Sequence, residues 1–329
     1  MSINYIGSKR SLVDFLEESF SQAMGDDFSS IKVFGDGFCG GGAVSVHFNQ
    51  KYDWSIQSVD IELYSYLLNN TMLNVPYTQE LKELIDRLSD CQPIESLVTK
   101  TYSPRGDRMF FTVENSEKID AVRSEINNLP ETVGRCEREF LLASLIKSAD
   151  KVANISCVYG AYLKKFKKSA EKPFVLTPIH TRPQIRVESK VLCQDIFDTD
   201  WSDCDVVYFD PPYNNRQYGS NYFVLNYIGR YEYCETRGKT GIIDYYKSPF
   251  CQKREAMKAF ERLLNNDTLP KYVFISYNDE GIIKVDEFKE MLEKHGKVVL
   301  FKKAYKKFKA QMSVNKNQVI EMLWFLERK

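Results

Sequence analysis

An aspartate, two prolines and a tyrosine, Asp210-Pro211-Pro212-Tyr213, stand directly after the run Asp205-Val206-Val207-Tyr208-Phe209. That β-branched and aromatic run reads as a buried strand. The four residues therefore fall where a strand leaves its sheet, the usual place for ligand chemistry in an open α/β sheet. Consecutive prolines remove two backbone donors and fix φ, which leaves a stiff turn with its carbonyls exposed. Asp210 adds a carboxylate acceptor and Tyr213 a flat ring. The set suits gripping an exocyclic amine on a flat heterocycle, such as the N6 amine of adenine, whose lone pair is delocalised into the ring. Two acceptors, the Asp210 carboxylate and the Pro211 carbonyl, would bind its two hydrogens and favour a more tetrahedral nitrogen while Tyr213 stacks on the base. The alternative is a rigid turn after a strand and nothing more.

Such a turn needs a sheet behind it. Ile31-Lys32-Val33-Phe34 reads as a strand running into Gly35-Asp36-Gly37-Phe38-Cys39-Gly40-Gly41-Gly42; Ala43 to Phe48 then opens a helix, and Ser55 to Val59 forms a second strand ending at Asp60. Strand, glycine loop, helix, strand and acid make the first half of a nucleotide-binding α/β sheet. Gly35-x-Gly37-x-x-Gly40 satisfies the dinucleotide fingerprint, with Asp60 spaced as a ribose-binding acid. This loop alone does not separate NAD from S-adenosylmethionine, and a glycine-rich turn made for close packing is a third reading. Two details favour the sulfonium cofactor. Asp36 would repel a pyrophosphate but attract an ammonium or sulfonium, and the 210–213 turn offers no partner for hydride transfer.

Further strands follow at Val191-Leu192-Cys193-Gln194 before Asp195, at Tyr272 to Tyr277, at Val298 to Phe301 and at Val319 to Leu326. The last two are joined without room for a long helix and are expected to pair antiparallel. Helical spacing runs from Ser11 to Ala23 and from Val285 to Lys294. Between about 65 and 190 the pattern turns helical, at Leu81–Leu88, Lys118–Leu129 and Glu137–Asp150, with no glycine loop. The expected fold is α/β. A Rossmann-like, mostly parallel sheet with an antiparallel last strand occupies 1–64 and 191–329, and a helical insert over 65–190 diversifies specificity.

With 329 residues, 43% of them hydrophobic and 13% aromatic, the chain suits one large domain or a core plus an insertion. Its 45 basic and 45 acidic residues balance, so only local clusters speak to a nucleic-acid partner. Eight cysteines without a C-x-x-C pair, and three scattered histidines, argue against a zinc cluster. No metal is expected, and the thiols are read as free in a reducing cytoplasm. The first ten residues lack a signal-peptide core and no run reaches transmembrane length, so the expectation is a soluble cytoplasmic protein with no membrane partner.

Asp210-Pro211-Pro212-Tyr213 together with Phe38-Cys39-Gly40-Gly41-Gly42 resembles the amino-group DNA methyltransferases, specifically the N6-adenine class. Their order, with Tyr5-Ile6-Gly7-Ser8-Lys9 first, then the glycine loop, a long insert and D-P-P-Y, resembles the alpha-type arrangement. Asp210 to Tyr222, Phe110 to Arg123 and Lys271 to Gly281 are similar to adenine methylases of type II restriction-modification systems. The resemblance implies S-adenosylmethionine held by Tyr5, Lys9, Asp36, Phe38, Gly40, Gly42, Asp60, Asp195 and Ile196. Within that set Tyr5 and Lys9 serve the methionine end, as does Asp36; Asp60 takes the ribose and Asp195 the adenine amine. Asp210, Pro211, Pro212 and Tyr213 are then catalytic. Double-stranded DNA is the implied partner, with a cognate restriction endonuclease acting on the same site without a stable complex, and the enzyme is expected as a monomer. Gly35 departs from the bulkier residue frequent in the family. Asp at 210 argues against relatives with Asn or Ser there, although cytosine N4 and RNA remain alternatives.

An amine inside a duplex is out of reach, so the base must be flipped out. Phosphate contact is expected from Lys164, Lys165, Lys167 and Lys168, and from the lysine run that includes Lys306 and Lys307; a solvated charged face is the competing reading of either cluster. Arg216, Gln217, Tyr218, Asn221 and Tyr222 follow the turn and are expected to hold DNA beside the flipped base. A nicotinamide-dependent oxidoreductase and a non-catalytic DNA-binding module are the rival readings.

Overall fold

The computed structural model describes residues 6–306 and 318–329. In chain order the helices and strands are α1 (Val13–Met24), β1 (Val33–Gly37), α2 (Ala43–Tyr52), β2 (Ser55–Asp60), α3 (Leu63–Asn74), α4 (Gln79–Ser89), α5 (Leu97–Tyr102), α6 (Val113–Asn127), α7 (Arg135–Val152), β3 (Lys190–Cys193), β4 (Val206–Phe209), α8 (Tyr218–Arg230), α9 (Ala256–Leu264), β5 (Tyr272–Asn278), α10 (Val285–Glu293), β6 (Gly296–Lys306) and β7 (Gln318–Arg328). The chain divides into two compact units.

The first unit comprises Ser8–Ile61, Val187–Tyr218 and the described residues of Lys247–Lys329. It carries a seven-stranded sheet in the order β3-β2-β1-β4-β5-β7-β6. The first five strands run parallel, and β7 lies antiparallel between β5 and β6. The sheet is Rossmann-like and mostly parallel, with the antiparallel last strand expected from the sequence. Sequence order reverses direction between β1 and β4, which makes their carboxyl ends the switch point where ligands bind in such sheets. The register sets Gly37 beside Phe209, and Asp210 N donates to Gly37 O at 3.2 Å, so the glycine loop and the proline turn leave the sheet side by side.

Central parallel strands are covered on both faces, so β4 reads as an unbroken apolar run and is fully buried. On one face, the Phe20 ring of α1 lies 4.1 Å from Phe274 and 5.5 Å from Phe48. The other holds Trp201, Phe209, Phe250, Phe260, Tyr277, Phe288 and Trp324. A Cβ on Gly35 would meet Val207 at 2.8 Å and Trp201 at 3.0 Å, and one on Gly37 would meet Phe209 at 2.5 Å. Gly35 is thus a strand residue that lets β4 and Trp201 pack closely on β1, which accounts for the absence of a bulkier side chain.

The second unit comprises Glu62–Arg186 and Gly219–Tyr246, with Ile6 and Gly7, and it is helical. Buried Asp120 accepts from Ser96, Val98 and Thr99 N at 2.8–3.0 Å, capping α5 from α6. Buried Arg123 donates to Ile228 O and Gly229 O at 2.9 Å each, closing the carboxyl end of α8. Asn226 Oδ1 accepts from Tyr64 N at 3.1 Å, and the Tyr102 and Tyr227 rings meet edge-on at 5.0 Å. These bonds make 219–246 part of the helical unit, whereas the sequence reading gives that stretch to the sheet-bearing core. Among the described residues no helix is long and apolar enough to cross a membrane.

Candidate active site

The turn at the end of β4 is held from three sides. Asp210 N is tied to Gly37, Tyr213 O accepts from Ile282 N at 2.9 Å, and the Tyr213 ring meets Tyr277 edge-on at 6.3 Å. Among the described residues no donor takes the Pro211 carbonyl. Carboxylate, carbonyl and ring are therefore presented by a rigid segment, as gripping an amine requires.

The Asp210 carboxylate has a partner that the sequence reading assigns elsewhere. Lys9, only 5% exposed, sets its ammonium 2.7 Å from Asp210 Oδ1 and 3.2 Å from Glu321 Oε1 on β7. Burial works to lower the Lys9 pKa, but Asp210 and Glu321 outweigh it and hold the ammonium well above its ordinary value. Burial pushes Asp210 up to about 6; Lys9 opposes that rise and Glu321 adds to it. Expected at the methionine end of a cofactor, Lys9 is thus directed at the 210–213 turn. Glu321 belongs to no earlier expectation. Its signal was legible all the same, as the single charge within Val319-Ile320-Glu321-Met322-Leu323-Trp324-Phe325-Leu326.

The loop after β1 passes through three positive φ values, at Phe38 (67°), Gly40 (49°) and Gly42 (75°). Phe38 is the costly one, because a side chain strains there. Its ring is wedged edge-on against Phe250 at 5.2 Å and Phe209 at 6.4 Å. Phe38 N and Cys39 N donate to Val59 O, and Gly40 N donates to Asp60 Oδ2 at 2.9 Å. Asp36, 1% exposed, accepts from Ser45 N at 3.1 Å and Ser45 Oγ at 2.5 Å. Burial pushes its carboxyl up to about 7, against the two Ser45 bonds. The amino end of α2 is thereby filled by an internal carboxyl group, where a dinucleotide enzyme would place pyrophosphate. Asp36 acts as a cap, not as an open counter-charge. The remaining set is half-buried Asp60 at the end of β2, half-buried Asp195 after β3 and buried Ile196. Carboxylates beside apolar side chains fit a cationic nucleoside better than a phosphate. Tyr5 lies outside the described residues.

A family model described as D12 class N6 adenine-specific DNA methyltransferase matches residues 5–291. The chain belongs to that family. It is 40% identical to the type II methyltransferase M.CviAII of Paramecium bursaria Chlorella virus 1 over 98% of both chains. It is 38% identical to M.NlaIII of Neisseria lactamica over 99% of both. With M.FokI of Planomicrobium okeanokoites it shares 31% identity over 99% of this chain and 53% of the other. Membership makes the protein an adenine-specific DNA methyltransferase, with double-stranded DNA as substrate and S-adenosylmethionine as methyl donor. The nicotinamide reading falls with it, as do cytosine N4 and RNA.

The residues expected to hold DNA are scattered in their surroundings. In the helical unit of the methyltransferase, Lys164, Lys165 and Lys168 are exposed on an irregular segment. Lys167 is turned inward: its Nζ donates to Ile155 O at 2.7 Å, and burial lowers its pKa. Tyr222 is fully buried, its hydroxyl accepting from Ile6 N at 2.7 Å, and Asn221 O accepts from Tyr159 N at 2.8 Å. In the sheet unit Arg216 is exposed and Tyr218 half-buried, while the Gln217 amide closes on the Ser248 backbone, at 2.8 and 3.1 Å. The Lys306 side chain and all of Lys307 lie outside the described residues. Tyr222 and Lys167 are accordingly packing residues, and Gln217 braces a loop.

Proposed function

We propose that the methyltransferase modifies adenine N6 at a specific site in double-stranded DNA, through Asp210, Pro211 and Tyr213, as the modification enzyme of a type II restriction-modification system. The observation that carries the site assignment is the half-buried, Lys9-paired Asp210 on a rigid turn beside the glycine loop. Flipping the adenine out costs a few kcal/mol, and stacking on Tyr213 offsets roughly 1–3 kcal/mol of that. The Asp210 carboxylate and the Pro211 carbonyl accept the two amine hydrogens and draw the nitrogen lone pair out of the ring. S-adenosylmethionine, when bound, supplies a methyl group on a sulfonium leaving group. A carboxyl poised near pH 6 has an oxygen able to take the proton that the methylated nitrogen gives up. Asp60, Asp195, Ile196, Phe38 and the loop glycines bind the nucleoside part of the donor, and Asp36 shapes the loop that they line.

The names of its relatives support the restriction-modification role, in which a cognate endonuclease cuts the unmethylated site and forms no stable complex with this chain. The enzyme works as a monomer in the cytoplasm. The test is methyl transfer from labelled S-adenosylmethionine to unmethylated DNA, followed by nucleoside analysis. N6-methyladenine is expected, and it disappears in Asp210→Ala while cofactor binding persists. Retained turnover by Asp210→Ala overturns the assignment of the turn.

A further inference from the structure

Glu321 stands in the middle of β7, opposite Asn278 of β5 and Lys303 of β6, and the five residues after it are buried and apolar. It is itself 1% exposed. Among the described residues neither of its oxygens receives a hydrogen bond, and its ion-pair partner is the Lys9 ammonium that also holds Asp210. A carboxylate buried with so little compensation is costly to the fold, and its place beside the catalytic turn supplies a reason to keep it.

We propose that Glu321 is a positioning residue for methyl transfer, which divides the charge of Lys9 so that Asp210 remains a strong hydrogen-bond acceptor. The proposal rests on the reading of Asp210 as the amine acceptor. With one carboxylate, Lys9 and Asp210 would close into a neutral pair whose shared oxygen is already drawn to the ammonium. Two carboxylates on one ammonium leave a net negative charge in a low-dielectric site, and that charge strengthens Asp210 as acceptor and base. The groups facing Asp210 are Lys9 from the N-terminal segment, Glu321 from β7, and the Tyr208 and Tyr213 hydroxyls, with Asp36 on β1. Both tyrosines are held above their ordinary pKa, chiefly by burial, and stay neutral at working pH. Asp36 titrates in wild type and variant alike, so the difference between them isolates Glu321.

The experiment is the pH dependence, from 5 to 9, of single-turnover methyl transfer to unmethylated plasmid DNA at saturating S-adenosylmethionine, for wild type, Glu321→Gln and Glu321→Asp. Melting temperature and cofactor affinity are measured alongside. Glu321→Gln is expected to lose about tenfold in plateau rate and to shift its acid limb about one unit lower, because loss of the neighbouring negative charge lets Lys9 depress Asp210 further. Glu321→Asp keeps the charge and restores the wild-type limb. If Glu321→Gln melts well below wild type, Glu321→Met carries the same expectation for the limb. A rate loss without a limb shift makes Glu321 merely structural and overturns the proposal, as does an unchanged rate. Turnover by Asp210→Ala would instead sink the underlying reading, so the two failures are distinguishable.

Discussion

Replacing Lys9 by methionine keeps the side-chain length and removes the charge that half-buried Asp210 and buried Glu321 share. Breaking a buried ion pair from one side usually costs about 3–5 kcal/mol, most of it the penalty of an uncompensated charge. Here the penalty has an outlet. Asp210 already stands at about 6 with Lys9 in place, so protonating it at pH 7 costs at most about 1.4 kcal/mol. Lys9 is the group that lowers Asp210, so its removal raises that carboxyl further and makes proton uptake easier still. The stability loss therefore falls at about 3 kcal/mol, the low end of the range, which is about 4 °C in melting temperature for a chain of 329 residues.

The sign with pH follows from the same group. In Lys9→Met the folded-state pKa of Asp210 lies further above its unfolded value. The variant is nearly intact below about pH 4 and loses stability as pH rises through the new folded pKa. Activity moves the other way, because a protonated Asp210 is no longer an acceptor. At saturating cofactor the acid limb of the single-turnover rate shifts upward, activity at pH 7 drops, and part of it returns near pH 9. This is opposite in direction to the shift expected for Glu321→Gln. A Lys9→Met limb that stays in place or moves downward would refute the account of the Lys9-centred charge cluster.

Asp36→Asn should flatten the pH dependence of stability. The Asp36 carboxyl is raised to about 7 by burial, so the stability it contributes is full below about pH 4 and is lost as pH rises through 7. Melting curves between pH 5 and 8 will fall less steeply in Asp36→Asn, by a few kcal/mol across the window at most. Charge reversal at Lys164 and Lys165 should lower the log–log salt slope of DNA binding by about two, if each neutralises one phosphate. Lys167→Met should leave that slope alone and lower the melting temperature, because its ammonium is bonded to Ile155 O. Equal effects of both variants on the slope would contradict the inward placement of Lys167.

Much of the sheet was legible because its strands are buried on both faces and closed by acids. Val206 to Phe209 before Asp210 and Tyr272 to Tyr277 before Asn278 each announce themselves by an apolar or aromatic run ending in a polar residue. Helix α8 was not legible for the converse reason. Phe223 to Ile228 is buried on every side, so its run lacks a 3.6-residue period and gives no helical signal. Proximity in sequence to the 210–213 turn suggested a shared role for Arg216 through Tyr222, yet the chain crosses from the sheet unit to the helical unit at Gly219. Tyr222 belongs to a different core from Asp210, and no local pattern reveals that.

The charge cluster around Asp210 teaches a different lesson about what a sequence conceals. Lys9, Asp210 and Glu321 are separated by most of the chain, and only the sheet order, with β7 beside β5, brings the third to the first two. Each member nonetheless left a trace. An ionisable residue inside an unbroken apolar strand, as Glu321 is, must find a counter-charge or give up its own. The strand that holds it borders β5, and β5 borders the strand that ends at Asp210, which confines the search for that counter-charge to the carboxyl ends of a few strands. An acid in a buried strand next to a catalytic turn is therefore a physical reason to look for a shared cation. In this chain Lys9 answers to that description.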